Sequence, residues 1–289
     1  MLTWQVGRVR IAQVVESKGA SPPSFFYPDV GPEDVQRHAW LRPLFAHRDG
    51  RLFASIHAFL IESESRRIVV DTCVGNDKER DLPVWNRLQG PFLDKLRDAG
   101  WPPESVDVVL CTHLHVDHVG WNTRLEAGRW VPTFPNAQYL FGRTELAHWL
   151  ASTGDEDRRI MADSVQPILD AGLALAVDAD HAVTSEVRLE PTPGHTPGHV
   201  SVRIRSQGAE AVVTGDLMHH PIQCAEPHWQ SRYDSDPEGA RQTRRRFLEE
   251  HADRPVLVLG THFAAPTGGH VVRDGAAWRF VALETPDVN

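Results

Sequence analysis

Three histidines and one aspartate fall within six residues of the sequence, directly after the apolar run 106–110. They are His113, His115, Asp117 and His118, and their imidazole nitrogens and carboxylate oxygens are ligands that zinc and similar divalent ions accept. His113 and His115 alternate, so they share one side of an extended segment, whereas Asp117 and His118 are adjacent and diverge. Since one ion does not easily take all four ligands, the spacing indicates two metal ions.

A histidine in apolar surroundings is usually a core residue that binds no metal. Four potential ligands this close together would carry a heavy desolvation cost if they were buried without an ion, so we prefer the metal interpretation. Three more apolar strands are followed by histidine or aspartate, at His195, Asp216 and His262. Loops at one edge of a sheet are where α/β proteins assemble sites from distant sequence.

The elements that must position these residues alternate between strands and helices, which predicts the α/β class. Strands are predicted over residues 6–16, 52–62, 67–70, 106–110, 138–141, 174–177, 187–190, 200–205, 210–214, 255–259, 271–273 and 278–283. Helices are predicted over residues 31–45, 91–99, 144–151, 157–170 and 236–250, with a loop over 17–30 and turns over 123–137. The sequence shows no repeat and no linker, so we expect one domain over residues 1–289.

The composition is that of an ordinary globular protein and argues against a nucleic-acid-binding chain. Hydrophobic residues make up 41% and charged residues 24%, and the net charge is −9 with histidine neutral. The basic residues are scattered except for Arg244-Arg245-Arg246, which we expect on the solvated face of a helix. Without an extended basic surface, a small-molecule substrate is expected rather than a polynucleotide. A homodimer is compatible with the sequence.

The three cysteines, Cys73, Cys111 and Cys224, include no C-x-x-C pair. This pattern favours a reducing compartment over a disulfide framework. The first ten residues lack the basic, apolar and small-residue segments of a signal peptide. We therefore expect a cytoplasmic protein without a membrane partner.

The H-x-H-x-D-H motif at 113–118, with Gly-His at 194–195, Gly-Asp at 215–216 and Thr-His at 261–262, resembles the metallo-β-lactamase superfamily of binuclear metallohydrolases. The resemblance covers most of the chain. It implies an αββα sandwich, with two mixed sheets face to face, helices on the outer faces and two zinc ions, or other divalent ions, at one rim. It also implies the ligand sets: His113, His115 and His195 for the first ion, Asp117, His118 and His262 for the second, and Asp216 between them.

Asp71 ends a predicted strand and has two interpretations. It matches the aspartate that supports the ligands in this superfamily, and such an acceptor fixes a ligand histidine. The residue alone also allows an Asx turn.

Within the superfamily, the chain resembles the branch of N-acyl-homoserine lactone lactonases and methyl parathion hydrolase. Di-iron redox members usually carry glutamate in place of His115, so the histidine favours zinc and hydrolysis. Glyoxalase II members usually add a helical C-terminal domain, whereas this chain closes on predicted strands. The implied reaction uses a hydroxide shared by the ions to open a lactone or cleave a related carboxylic ester. Phosphotriester or β-lactam hydrolysis are alternatives, and the seven-ligand set argues against a metal-binding protein without turnover.

Asp117 and His219 are the candidate catalytic residues. Many lactonases of this branch carry tyrosine three residues after the bridging aspartate, where this chain has His219. An imidazole there can donate a proton or contact an oxyanion. The alternative is that His219-His220 forms a surface turn.

An N-terminal extension, about residues 17–50, is expected to cover the active site. It contains Phe25-Phe26-Tyr27, which either plug the core or line the mouth of a pocket. Trp85, Trp121 and Trp229 are further candidates for pocket walls, with core packing as the alternative for some of them.

Overall fold

The computed structural model describes residues 1–284, in which two mixed β-sheets face each other. The described strands are β1 Thr3–Val6, β2 Val9–Ser21, β3 Leu52–Ser63, β4 Arg66–Val70, β5 Val108–Leu110, β6 Thr123–Glu126, β7 Arg129–Pro132, β8 Gln138–Gly142, β9 Ala174–Val177, β10 Val187–Pro191, β11 Val200–Ser206, β12 Ala209–Val213, β13 Val256–Leu259, β14 Gly268–Asp274 and β15 Ala277–Ala282. The described α-helices are α1 Pro32–Gln36, α2 Phe92–Asp98, α3 Val116–Val119, α4 Arg143–Leu150, α5 Asp155–Ile160, α6 Gln166–Asp170, α7 Ile222–Ala225 and α8 Pro237–His251.

The first sheet has the order β1-β2-β3-β4-β5-β8-β9 and the second the order β10-β11-β12-β13-β14-β15. Each sheet mixes both pairings: β4, β5, β8 and β9 run parallel in the first, and β12 and β13 run parallel in the second. β6 and β7 form a separate hairpin.

Alternate strand residues point to opposite faces of a sheet, so each sheet has an inner and an outer apolar face. The sandwich is held together by three apolar layers. The inner layer lies between the sheets and includes Ile61 and Leu110 from the first sheet and Val213 and Leu259 from the second. The outer face of the first sheet packs on α2, α4 and α5, while the outer face of the second packs on α7, α8 and the segment 26–52. The predicted αββα sandwich of two mixed sheets with outer helices is thus confirmed.

The prediction of a single strand over residues 6–16, followed by a loop from 17, is wrong. β1 ends at Val6, and Gly7 turns the chain with a φ of 57° before β2 begins at Val9. β2 then continues to Ser21, because it stays paired with β3 beyond a register shift between Val15 and Ser17. Backbone pairing therefore outweighs the polar side chains there.

The helix predicted over residues 31–45 ends much earlier, at Gln36. His38 has φ −95° and ψ 76°, outside the helical region, and its Nε2 lies 3.0 Å from Glu226. Pro43 lacks an N–H and could not continue a helix. The start of the helix at Pro32 is as predicted.

Two further predictions need correction. The turns predicted over residues 123–137 include the hairpin of β6 and β7. The helix predicted over 157–170 begins at Asp155 and contains a π-helical turn at Met161–Val165. Pro167 has no N–H to donate to Asp163 O, and that carbonyl accepts from Lys78 and Thr123 instead.

Within residues 1–284, no helix is both long and apolar enough to cross a membrane. The three cysteines are buried and form no disulfide.

Candidate metal centre

Parallel pairing brings the candidate ligands to one rim of the sandwich. β4 and β5 are parallel, so Asp71 and the segment 113–118 leave the first sheet at the same edge. β12 and β13 are parallel as well, and they are followed by Asp216 and His262. The two edges touch, because Val200 N–H donates to Thr112 O at 3.0 Å.

The first cluster consists of three histidines and one carboxylate. His115 Nδ1 lies 2.9 Å from His113 Nε2 and 2.8 Å from His195 Nε2. An oxygen of Asp216 completes a group of four potential ligand atoms, all within 4.8 Å of one another. This is the donor set that the family resemblance implies for one ion.

The second cluster consists of Asp117, His118 and His262, whose potential ligand atoms also lie within 4.8 Å of one another. Asp117 Oδ1 is 3.6 Å from His118 Nε2, and Asp117 Oδ2 is 3.6 Å from His262 Nε2. Asp117 is only partly buried, whereas both histidines are buried. The open side of this cluster is therefore at the aspartate.

Asp216 lies between the clusters and presents one oxygen to each. Its Oδ2 is 3.4 Å from His195 Nε2 and 3.8 Å from His113 Nε2. Its Oδ1 is 3.1 Å from His262 Nε2 and 3.4 Å from His118 Nε2. A carboxylate in this position can bind two ions at once.

Several buried atoms at the centre have no hydrogen-bond partner among the described residues, namely both ring nitrogens of His118, Asp216 Oδ1 and both ring nitrogens of His219. Leaving such a group unpaired costs about 1–3 kcal/mol. A divalent ion between His118 and Asp216 would satisfy both. The donors are nitrogen and oxygen without thiolate, a set that suits zinc and related divalent ions, so the residues fit the implied metals.

Burial lowers the pKa of His113, His115 and His195 well below the ordinary histidine value. These rings are therefore neutral at pH 7, the form that binds a metal ion.

Burial also lowers the pKa of His118, but the carboxylates of Asp216, Asp71 and Asp117 outweigh it and raise that pKa well above its ordinary value. Burial likewise lowers the pKa of His262, but the carboxylates, first that of Asp216, outweigh it and raise that pKa above its ordinary value. Burial alone would raise the pKa of Asp216, yet the surrounding histidines, first His262 and His118, hold it well below the usual range. The second cluster thus favours positive charge, which an ion can supply instead of protons.

Acceptors lie behind the rings of the candidate ligands. Asp71 Oδ2 lies 3.0 Å from His118 Nδ1, an ion-pair contact, and Asp71 also accepts from Thr112 N–H at 2.8 Å. His262 Nδ1 lies 3.2 Å from the carbonyl oxygen of Ser55. Such contacts leave the opposite ring nitrogen free for a metal. These contacts match the interpretation of Asp71 as an acceptor that orients a histidine of the site, rather than as the residue of an Asx turn.

A third acceptor, Asp234, is absent from the sequence predictions. Its Oδ1 contacts His195 Nδ1, and its Oδ2 accepts from Ser231 N–H at 3.1 Å. Arg244 is fully buried, and its Nη2 lies 3.6 Å from Asp234 Oδ2. Its guanidinium donates to Leu217 O, Pro227 O and Trp229 O. The expected solvated arginine face is therefore wrong for Arg244. No local pattern signals either residue, because their partners are distant in sequence.

His199 holds the backbone of the central aspartate. Its Nε2 accepts from Asp216 N–H at 2.8 Å, and its Nδ1 donates to Thr192 O at 3.0 Å. Burial lowers the pKa of His199 to about 4, so the ring stays neutral and can play both roles. Gly215, at φ 56°, lets the ring approach, since a Cβ there would lie 2.5 Å from His199 Nε2.

His219 lies over both clusters. Its Nε2 is 3.2 Å from Asp216 Oδ2, and its ring stacks parallel to that of His262 at 6.0 Å between centroids. The ring of Phe26 also contacts that of His219, with 6.1 Å between the centroids. His220 instead faces the N-terminal segment and donates to Phe45 O at 2.9 Å. Both histidines are buried, so the alternative of a surface turn is wrong.

The aromatic residues suggested as pocket walls have different positions. Trp121 is a core residue that stacks on Phe92 and donates to Glu16, and Trp85 packs on the same cluster. Trp229 contacts Tyr27 and His38. Phe26 alone among those six aromatics has a ring contact with His219 in the described structure.

Comparison with known families gives a match for residues 52–273, more than half of the chain, to the model described as the Metallo-beta-lactamase superfamily. N-acyl homoserine lactonase AiiA of Bacillus thuringiensis subsp. kurstaki is 26% identical over 170 residues, which cover 55% of this chain and 61% of the relative. N-acyl homoserine lactonase AttM of Agrobacterium fabrum is 34% identical over 131 residues, 43% of this chain and 44% of the relative. The matched segments thus span less than two thirds of these lactonases.

Two solved structures share the fold over nearly the whole chain. AidC, a dizinc quorum-quenching lactonase in complex with the product N-hexnoyl-L-homoserine, superposes with a TM-score of 0.82 at 19% identity, covering 99% of this chain and 98% of AidC. The hydrolase AbOPH of the beta lactamase superfamily has a TM-score of 0.82 at 24% identity, covering 99% of this chain and 98% of AbOPH.

Proposed function

Because the chain belongs to the metallo-beta-lactamase superfamily, we propose that it is a metal-dependent hydrolase that holds two divalent ions, best suited to zinc. The proposed ligands are His113, His115 and His195 for one ion, Asp117, His118 and His262 for the other, and Asp216 for both. The observation that carries this proposal is the position of Asp216, whose two oxygens face different clusters.

When bound, such ions supply an activated water and polarise a carbonyl or phosphoryl oxygen. The chain itself contributes the orientation. Asp71 and Asp234 hold the rings of His118 and His195, and His199 holds the backbone of Asp216. Asp117 is the partly exposed ligand, so its carboxylate is placed to accept a hydrogen bond from the attacking water.

We assign proton donation to His219. Its ring lies beside Asp216 and both clusters, and neither ring nitrogen has a hydrogen-bond partner among the described residues. An imidazole so placed can donate from Nε2 to a leaving alkoxide or stabilise an oxyanion.

The substrate that we propose is a small lactone or a related carboxylic ester. The support is the likeness to proteins described as N-acyl homoserine lactonases. A phosphotriester is the second candidate, because His219 stands where many lactonases carry tyrosine. A β-lactam amide is a further alternative.

The remaining proposals concern the whole chain. We propose one domain over residues 1–289, in which the segment 17–50 covers the site, since Phe26 lies against His219 and Phe45 O accepts from His220. Cytoplasmic location is proposed from the three free, buried cysteines.

The test combines a metal count with a substrate panel. The purified chain is expected to contain two zinc ions, to hydrolyse a lactone or ester faster than a phosphotriester or β-lactam, and to lose activity with a chelator. Active protein with one ion or none would contradict the binuclear site. A phosphotriester as the best substrate would favour the second candidate instead.

A further inference from the structure

A buried glutamate outside the ligand set accepts four hydrogen bonds at the candidate site. Glu145, in the first turn of α4, is 1% exposed. Its Oε1 accepts from Leu114 N–H at 3.0 Å and from Trp149 Nε1–H at 2.7 Å. Its Oε2 accepts from the Thr196 hydroxyl at 2.7 Å and from Gly198 N–H at 3.0 Å. A carboxylate accepts without donating, so its side chain matches four donors.

Three of these donors belong to the loops that carry the first cluster. Leu114 lies between His113 and His115, and Thr196 follows His195 directly. Those loops come from different sheets, since one follows β5 and the other follows β10. Glu145 therefore joins the two backbones that must converge for three imidazoles to share one ion.

The second loop approaches α4 too closely for any side chain at Gly198. A Cβ there would lie 2.2 Å from Glu145 N and 2.6 Å from Glu145 Cα. Thr196 is fully buried and Leu114 is as well, so water cannot replace the bonds to the glutamate.

We propose that Glu145 is a positioning residue that fixes the two ligand loops relative to each other and so sets the affinity of the His113, His115 and His195 cluster for a divalent cation. The inference rests on the proposed function only in assigning an ion to this cluster. Glu145 touches neither substrate nor metal, and it acts through the loop backbones.

Glu145→Gln is the sharpest substitution, because it keeps the size of the side chain. The NH₂ of the amide must face one of the two pairs of donors. It is best tolerated beside Thr196 and Gly198, because the Thr196 hydroxyl can rotate and accept a hydrogen bond from the NH₂. Gly198 N–H can only donate, so the loop after β10 loses that hydrogen bond. Trp149→Phe is the matched control, since it removes the indole donor from the same carboxylate, leaves both loop contacts and keeps an aromatic ring against His115, whose ring centroid lies 5.3 Å from that of Trp149.

The experiment titrates Zn²⁺ into the metal-free protein against a competing chelator and counts bound ions. Glu145→Gln is expected to bind one ion about 10–100-fold more weakly than wild type and to keep the other unchanged. Trp149→Phe is expected to bind both with affinities close to wild type. Thermal unfolding of the metal-free proteins separates a lost fold from a lost contact.

Equal zinc affinities in Glu145→Gln and wild type would overturn the inference, and so would an equal loss in Trp149→Phe. Uniform weakening of both ions would also contradict it, because that result indicates general destabilisation. If Glu145→Gln does not fold, Thr196→Val, which removes only the hydroxyl donor, must show the selective loss. If the wild-type chain binds only one ion and Glu145→Gln weakens the binding of that ion, the binuclear proposal is overturned while this inference is supported.

Discussion

The carboxylate of Asp234 lies 2.9 Å from Nδ1 of His195, although 39 positions separate the two residues. The contact directs His195 Nε2 towards His115 and Asp216. Behind it, Ser231 N–H and the Arg244 guanidinium hold the other oxygen of Asp234. A proposed ligand, His195, is thus held by a turn and a helix that contribute no candidate ligand of their own.

Asp234→Asn is expected to weaken zinc binding at the first cluster by about 10–100-fold. The amide carries no negative charge, and if its oxygen keeps facing His195, its NH₂ faces two other donors, Ser231 N–H and Arg244. Chelator competition measures the affinity. Asp236→Asn is the control, since Asp236 caps α8 in the same turn and asparagine caps a helix equally well. Wild-type affinity in Asp234→Asn would show that the contact does not support the metal.

Asp117→Ala is expected to lower kcat/KM by at least about 100-fold, since losing a ligand should cost at least as much as losing an outer contact. The carboxylate of Asp117 is partly exposed and makes no side-chain hydrogen bond in the described structure, so the metal-free variant should unfold within a few degrees of metal-free wild type. His118→Ala should lose as much activity and also leave Asp71 without its histidine. A variant that fails to fold at room temperature would argue for a structural role.

His219→Ala is expected to lower kcat/KM on a lactone with a poor leaving group by at least about tenfold, within the range of general acid catalysis. Nitrophenyl esters should lose less, because their leaving group needs little protonation. Both ions should remain bound. His228→Ala, at an exposed histidine, is the control. Wild-type rates on both substrate types would assign His219 to packing.

The stability of the metal-free protein should fall on acidification through His220. Burial lowers its pKa from 6.5 to about 4, and the neutral ring donates to Phe45 O and accepts from Ile222 N–H. The unfolded chain therefore binds a proton first as the pH falls from 6.5 towards 4, and stability is lost in that window. The cost is about 1.4 kcal/mol per pH unit for one proton.

His220→Gln should remove this contribution. The slope of its free energy of unfolding against pH should therefore be smaller than that of wild type over the same window, by the amount that corresponds to about one proton. Denaturant unfolding at several pH values measures the slope. His228→Gln should keep the wild-type slope, as its side chain is exposed. An unchanged slope in His220→Gln would mean that the ring titrates normally.

Local patterns in the sequence predicted the α/β class and the residues that cluster after the strands, and the family resemblance carried by those motifs implied the sandwich and the seven candidate ligands. An apolar strand followed at once by histidine or aspartate identifies both the element and its functional end, as at β5 and β13. The family match and the fold bear out the resemblance. The ligand roles themselves stay proposals that the geometry supports.

What the sequence did not reveal depends on distant partners. Glu145 and Arg244 are charged residues in helices, where a solvated position is the usual expectation. Both are buried because backbone donors or acceptors from other segments surround them. The early end of α1 and the extension of β2 follow from tertiary contacts as well.

The proposed ligand sets come from both sheets, and the inner apolar layer holds those sheets face to face. The spacing between the segment 113–118 and Asp216 therefore depends on side-chain volumes at positions such as Ile61, Val213 and Leu259, none of which is a proposed ligand. Protein interiors respond to a change of even one methylene. Substitutions deep in this layer are thus expected to shift the two candidate clusters relative to each other, although they change no candidate ligand.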